Sequence, residues 1–332
     1  VNVTLLSYGS RGDVQPYVAL ALALKARGHA VKLAAPENFQ GFVEGFGLEY
    51  APLAGDTRAQ IDTPEAQGLI LAGKSYEFFR AMRRSMQPIL EALEDSILAA
   101  CKGADAVISS PVTEFSAQSA SEAVGASCVL SFLAPQLPSS QFASFVLPWR
   151  SLGLPWLNAL SHRMFEAAWW RLAEDGIRQA RRRWNLPALA GNPSQEFRRR
   201  GGLCLMGYSQ EIFPRPADWP ETQVVTGAWR IPAQVHGSKG DEDDAGFQQW
   251  LEDGTPPVYF GFGSMPLPQP LEFLEMASEV CEGMGMRALV GSGWNTLRLD
   301  ACDLPDNVAI VEQANHAWLF PQCAAVVHHG GA

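Results

Sequence analysis

Apolar residues in this chain gather into short unbroken runs set between polar turns. The opening run "VNVTLL" passes into "YGSRGDVQP" and then into "YVALALALKARGHA". A run without polar alternation is the pattern of a strand buried on both faces, as in a parallel sheet covered by helices. The spacing predicts a strand over 1–7 and a helix from about Pro16 to Arg27. Pro16 suits a first helical turn, where its missing amide hydrogen has no helical partner, and Gly28 suits a left-handed stop. The same rhythm predicts a strand at "AVKLAAP", a helical segment over 86–100, a strand over 104–110, a helix near 114–124 and a strand over 126–133. Alternation of this kind implies an α/β fold with crossover helices.

The pattern changes over 134–160, where Pro135, Pro138, Phe142, Phe145, Trp149, Pro155 and Trp156 are mixed with small polar residues. Proline discourages helix while the aromatics supply apolar area. The segment reads equally as a loop lining an apolar cleft and as a lid packed on its own domain. A long helix is predicted over about 161–184, its aromatics read as core and its arginines 181–183 as a solvated helix end. A strand follows at "GLCLMGYS". "RIPAQVHGSKGDEDDAG" is short of apolar anchors and rich in charge and glycine, which is linker composition. The rhythm restarts with "PPVYFGFGSM", a helix through "LEFLEMASEVCEGMG", and strand signals at "MRALVGSG", "NVAIVE" and "CAAVVHHG". The expected organisation is a first domain over 1–230, a linker over 231–246 and a second domain over 247–332. That second stretch holds less βα material than a doubly wound domain needs, so it is expected to be cut short in this sequence.

Composition narrows the classes. The 332 residues, 47% of them apolar, supply enough for two ordinary domains with cores. Lys plus Arg number 25 against 35 Asp plus Glu, and the formal charge of -10 argues against wrapping nucleic acid. The six cysteines form no close pair, as expected for reduced thiols in a cytosolic protein. Ser10, Arg11 and Asp13 break the apolar opening, which makes a poor signal peptide, and no run is long enough to span a bilayer. Residues 141–160 come nearest, interrupted by Arg150 and two prolines, and leave an amphiphilic surface. The expected location is cytoplasmic, with peripheral membrane contact as a further expectation. Oligomeric state is not legible.

Ligands of α/β domains collect beyond the carboxyl ends of parallel strands. Three strand-to-turn transitions carry unusual residues there: "GSRGD" with Asp13, "GFGSM" at 261–265 and "HHGGA" at 328–332. Asp13 either caps amides at the helix start or takes a proton from a bound substrate. Gly263 allows close backbone approach and Ser264 adds a hydroxyl, a combination suited to phosphate. His328 and His329 are neighbours on a strand and point to opposite faces, so they do not share a metal ion. His329, beside the Gly330 and Gly331 amides, is placed to donate to a phosphate oxygen. "GSG" at 291–293 is a further turn of this type. Neither G-x-G-x-x-G nor G-x-x-x-x-G-K-[ST] occurs at the first helix, which weighs against a dehydrogenase or a P-loop enzyme. His29, His162, His236 and His316 have no ligand constellation in the sequence, whereas Glu114 and Asp105 flank a strand end within reach of a cleft.

"GSRGDVQPYVALALALKARGHAV", "PPVYFGFGSM" and "HAWLFPQCAAVVHHGGA", in this order, resemble the nucleotide-sugar glycosyltransferases of the GT-B fold. More narrowly, the chain resembles the group that contains bacterial natural-product glycosyltransferases and sterol glucosyltransferases. The resemblance implies two facing Rossmann-like doubly wound domains, the first holding an acceptor and the second a sugar nucleotide. It implies Asp13 as general base, Ser264 in a phosphate-side glycine turn, and His329 with Gly330 and Gly331 against the diphosphate. The implied donor is UDP-glucose, with a dTDP sugar as the rival, and no redox cofactor or metal is implied. Phe142, Phe145, Trp149 and Trp156 are the candidates for a hydrophobic acceptor such as a sterol, flavonoid or polyketide. Two other classes fit the same residues: a non-hydrolysing sugar-nucleotide epimerase, and a noncatalytic sugar-nucleotide or lipid-binding module.

Overall fold

The computed structural model describes residues 1–147, 150–232, 234–235, 245–267, 269–294, 305, 307–312 and 315–330. The chain divides into two compact units. The first comprises Val1–Gly9, Asp13–Thr57 and Phe79–Arg230, the second Ser10–Gly12, Arg58–Phe78 and Ile231–Ala332.

The first unit is built on seven parallel strands. They are β1 (Asn2–Leu6), β2 (Ala30–Pro36), β3 (Glu49–Leu53), β4 (Ala106–Ser109), β5 (Ser127–Phe132), β6 (Cys204–Met206) and β7 (Gln223–Val225), in the spatial order β3-β2-β1-β4-β5-β6-β7. The central strand β1 buries four of its five residues, which is why its sequence is a near-continuous apolar run. One core forms where Leu6, Ala34 and Leu53 on the sheet meet Leu93 and Ile97 of the helix Leu90–Cys101 and Ala117 of the helix Glu114–Val124. Strand order reverses between β1 and β4, and in such sheets the crevice for a ligand opens at that reversal.

The second unit contains β8 (Val258–Gly261), β9 (Ala288–Gly291), β10 (Val308–Val311) and β11 (Ala325–His328), again parallel, in the order β10-β9-β8-β11. β8 and β9 are buried along their whole length. They pack on the helix Pro270–Gly283 through Leu274, Ala277 and Cys281. Here the order reverses between β8 and β11.

Several expectations are refined. The first helix runs Arg11–Ala26, so it starts before Pro16 and holds that proline inside. Pro16 then withholds the amide that would pair with the carbonyl of residue 12, a cost confined to the helix's opening turns. The left-handed stop is where the sequence puts it, with Gly28 at φ 85°. Residues 57–86 hold three helices, Thr57–Ile61, Pro64–Leu71 and Ser75–Met86, where the apolar rhythm predicts no element. The long helix spans Pro155–Arg183, a turn and a half earlier than expected because Pro155 sits well at a helix start. Of the expected linker, residues 233 and 236–244 lie outside the described residues.

Candidate active site

Beyond β1 the backbone passes through Gly9, at φ 149°, into the first helix, whose opening turn carries Asp13. The Asp13 carboxyl folds back over Gly9: a β-carbon there would stand 2.2 Å from Asp13 Oδ2 and 2.5 Å from its Cγ. Both the backbone angle and the space therefore require glycine at position 9. Ser7 Oγ donates to the Asp13 carbonyl at 2.8 Å, and Thr57 Oγ1, wholly buried, donates to the Gly9 carbonyl at 2.7 Å. Asn38 Oδ1 in turn accepts from the Thr57 amide at 3.4 Å. Hydroxyls lace the neighbouring strand ends. Tyr17 and Ser131 share a hydrogen bond at 2.8 Å, Ser131 Oγ donates to the Ser109 carbonyl at 2.7 Å, and the Tyr8 amide donates to Ser110 Oγ at 3.3 Å. Burial holds the Tyr17 phenol far above its ordinary pKa, so it stays protonated. Asp13 thus sits at the switch point of its sheet, on a turn pinned from several directions.

Beyond β8 the chain turns through Gly263, at φ 59°, and beyond β9 through Gly293, at φ 58°. The Trp294 amide donates to the Gly263 carbonyl at 3.0 Å. A β-carbon on Gly293 would stand 1.9 Å from that same carbonyl oxygen, so the two turns touch backbone to backbone. Because β11 pairs with β8, with His328 opposite Gly261, the residue after β11 arrives beside the first turn. His329 Cε1 lies 3.5 Å from where a Gly263 β-carbon would be. Gly330, at φ 83°, donates its amide to His328 Nδ1 at 3.1 Å. Beneath these turns the Tyr259 ring lies across Gly261 and Gly291; a β-carbon at either glycine would come within 2.4 Å of it. No acidic residue occurs from Gly254 to Leu271 or from Asn315 to Gly330. Three glycine-bearing turns with free backbone approach beside a histidine ring favour an anion, while Glu312, one residue beyond the Val311 carbonyl that accepts from the Ser292 amide, stands beside the second turn. The helix that follows begins only at Pro270, six residues after Ser264, so its amides are not continuous with the glycine turn.

The structure brings Gly263, His329 and Gly330 together at the ends of neighbouring strands, with Ser264 in the same turn; Gly331 lies outside the described residues. Of the described aromatic candidates, Phe142 and Phe145 share a cavity and Trp156 does not line it. Phe142 is buried in a cluster with Phe213 and Trp219, Phe145 packs edge-on to Phe165 and is half exposed, and Trp156 is 62% exposed. Trp149 lies outside the described residues. Phe142 and Phe145 do line a cavity of about 190 Å³ with Pro135, Leu147, Arg150 and Phe213. That is smaller than a typical small-molecule site. Glu114 is buried among helices, accepting from Trp169 Nε1 at 3.0 Å and Ser194 Oγ at 2.8 Å, and burial pushes its pKa up to about 7. Asp105 binds the Asn2 amide at 2.7 Å, at the amino end of the sheet, away from the strand ends that bear Asp13. His162 is buried, with Nε2 3.0 Å from the Phe142 carbonyl, a packing role. Among the described residues no three His, Cys, Asp or Glu side chains gather as metal ligands. Sequence reasoning missed Ser7, Thr57 and Tyr17, whose partners are set by the tertiary fold.

Two doubly wound units, each with distinctive turns at its own switch point, define the GT-B class of glycosyltransferase folds, and solved structures agree. The glycosyltransferase SnogD of Streptomyces nogalater superposes with a TM-score of 0.59 at 20% identity, covering 100% of this chain and 77% of that one. Glycosyltransferase VinC, solved in complex with dTDP, gives 0.55 at 19% identity, with 100% and 76% covered. The sequence shows the family. The glycosyltransferase family 28 N-terminal domain matches residues 3–127. An uncharacterized glycosyltransferase of Mycobacterium bovis, Mb1551, is 33% identical over 340 residues, spanning 100% of this chain and 78% of the relative. The chain belongs to the glycosyltransferase family. Sterol 3-beta-glucosyltransferase UGT80B1 of Arabidopsis thaliana is 33% identical over 343 residues, all of this chain and 54% of that protein. The chain thus spans about half the length of this plant relative.

Proposed function

We propose that the protein transfers a sugar from a nucleoside diphosphate to the hydroxyl of a hydrophobic small molecule, with inversion at the anomeric carbon. One observation carries this reading: one sheet presents a carboxylate at its switch point, and the other presents a glycine–histidine cradle at its own. In the reaction the acceptor oxygen attacks the anomeric carbon, the bond from that carbon to the diphosphate oxygen breaks, and the acceptor proton passes to Asp13. The charge developing on the leaving diphosphate is met by the amides about Gly263, Gly293 and Gly330 and by His329, with Ser264 as a hydroxyl donor. A carboxylate is a weak base at its ordinary pKa, so its fixed orientation over Gly9 supplies much of its effectiveness. The glucosyltransferase relatives favour glucose as the sugar; UDP is the carrier implied by the family resemblance, and the dTDP complex of VinC supports a dTDP sugar as the alternative. The sterol glucosyltransferase relatives favour a sterol-like acceptor, with Phe142 and Phe145 on the small apolar cavity as its nearest wall.

The test is Asp13→Asn in the full protein, incubated with UDP-glucose, dTDP-glucose and a panel of sterols and phenols, with glycosides detected by mass. Asparagine can still cap a helix but cannot accept the proton, so turnover is expected to fall about 100-fold or more at nearly unchanged thermal stability. Near-normal transfer by a folded variant would reduce Asp13 to a helix cap. Hydrolysis or epimerisation of the donor with no glycoside on any acceptor would remove the transferase reading.

A further inference from the structure

The amino-terminal half of the long helix Pro155–Arg183 has two unlike faces. Its inner face is stitched to the preceding loop. Asn158 Oδ1 accepts from the Leu152 amide at 2.8 Å, Asn158 Nδ2 donates to the Ser140 carbonyl at 3.0 Å, and Ser161 Oγ accepts from the Ser144 amide at 2.9 Å. Residues 158, 161, 162 and 165 follow helical spacing, so they form one stripe turned to protein. The opposite stripe carries Trp156, Leu160 and Met164, at i, i+4 and i+8, and these are 62%, 42% and 66% exposed. Leu154, just before the helix, is 49% exposed. Arg163 and Arg171 are exposed on that same outer face. Single exposed apolar residues need no explanation, but three in register on one stripe with a fourth just before the helix do.

Charge decides what covers them. From Ala123 to Phe165 the sequence holds no acidic residue, and its only basic residues are Arg150 and Arg163, although acids outnumber bases 35 to 25 along the whole chain. The stretch that carries the apolar stripe thus brings no acid of its own. Glu166 just beyond it is paired with Arg198, Asp175 beyond Arg171 stands 3.9 Å from Arg83, and Asp218 is held by Ser139 and Ser140. A tryptophan, two leucines and a methionine flanked by arginines match an anionic bilayer surface, where apolar groups enter the headgroup boundary and guanidinium groups meet lipid phosphate. A second copy of the chain fits less well. The four side chains expose on the order of a few hundred Å², against about 800 Å² per partner in a stable interface, and a two-fold contact would bring arginine towards arginine. No described helix is long and apolar enough to cross a membrane, so the contact would be made in the plane of the surface. We infer that Trp156, Leu160 and Met164, with Leu154 and the flanking arginines, form a docking face for anionic lipid. The inference is independent of the transferase reading, since lipid docking involves no turnover.

The experiment is flotation of the full protein with vesicles of phosphatidylcholine alone or with about one third phosphatidylglycerol, paired with size-exclusion at two protein concentrations. Binding is expected to the anionic vesicles and to weaken with salt. Trp156→Ser combined with Leu160→Ser should lower it at least tenfold, and Arg163→Gln with Arg171→Gln several-fold, with thermal melts unchanged because all four side chains are exposed. Vesicle binding that is absent, or unaffected by the Trp156/Leu160 pair, overturns the inference. So does a dimer that this pair dissolves, which would assign the face to a second copy. Should the pair unfold the protein, Met164→Glu alone decides, since a carboxylate on the stripe must repel anionic lipid.

Discussion

The two units start alike and then part. Each begins with a buried parallel strand of four or five residues, runs into a glycine turn, and reverses its strand order beside that strand. In the first unit the turn leads at once into a helix whose opening turn bears Asp13, with the carboxyl folded over the backbone of Gly9. A carboxylate in the first turn of a helix satisfies the local positive end and makes the site unreceptive to a further anion. In the second unit the turn is followed by a loop with no acid from Gly254 to Leu271, and Gly263 and Gly293 meet backbone to backbone beside His329. On the proposed reading one topology serves opposite chemistry, proton acceptance at one switch point and anion acceptance at the other, and side chains within a few residues of the turn make the difference.

The comparison is broken most severely at Gly9. Gly9→Ala places a methyl group where the Asp13 carboxyl lies, and alanine is strained at φ 149°. The carboxyl must swing away, and for Asp13 in its proposed role as base a displacement of about 1 Å costs about 100-fold in rate. The expected result is a turnover loss approaching that of Asp13→Asn, whereas Gly28→Ala, at φ 85° with open space around it, leaves the rate unchanged. Steady-state kinetics on the three variants check this.

The matching change in the second unit is Gly293→Ala. Its β-carbon would overlap the Gly263 carbonyl, which is backbone and cannot rotate away. A loss of about 2–4 kcal/mol of stability is expected, with weakened nucleotide binding in whatever remains folded. Urea unfolding and calorimetric titration with UDP and dTDP measure both. A variant that binds nucleotide normally would show that the contact between the two turns has no part in the anion site.

How far these features were legible follows from the range of the interactions. β1, β8 and β9 stand out because a strand covered on both faces is largely apolar, and a left-handed helix stop all but demands Gly28. The early helix start at Arg11 was hidden by Pro16, whose usual place is the first turn. Thr57 holds the Gly9 carbonyl from 48 residues away, and Glu114 is drawn into the helical layer by Trp169 and Ser194, 55 and 80 residues distant. No local pattern encodes such partners. Asp13 and His329 stand out as candidates because the turns that carry them have sequence signatures of their own.

A third difference between the units is how they carry buried charge. Glu94, 3% exposed, accepts from Ser116 Oγ at 2.9 Å, leaves Oε2 without a partner, and is pushed by burial up to about 7. A carboxyl whose folded pKa is raised favours the protonated form, so its contribution to stability is present at low pH. That contribution is lost as pH rises from the ordinary carboxyl value of 4.5 to about 7. The first unit should therefore lose about 2 kcal/mol over this window, and Glu94→Gln should flatten the loss. Urea unfolding of both proteins across that range measures it, and parallel slopes would mean that Glu94 is hydrated in solution.

The second unit is expected to show a smaller effect of opposite sign. The His316 ring stacks on Phe320 with centroids 4.5 Å apart, and its Nε2 lies 3.3 Å from the Tyr259 hydroxyl. Desolvation of the ring pulls its pKa from 6.5 to about 4. The residue is nonetheless exposed over part of its surface, so solvent weakens the consequence; the ring's enclosure sets the direction. A histidine with a depressed folded pKa contributes stability that is present above about 6.5 and lost as pH falls towards 4, because the unfolded chain takes the proton first. Peptide-level hydrogen exchange, corrected for intrinsic rate, separates the units: on acidification from pH 7 to 5, protection should fall around β8 and rise around β4. His316→Phe keeps the stacking and removes the titration, so it should abolish the fall around β8 alone. A fall that persists in this variant would place the acid sensitivity of the second unit on another group and leave His316 as packing.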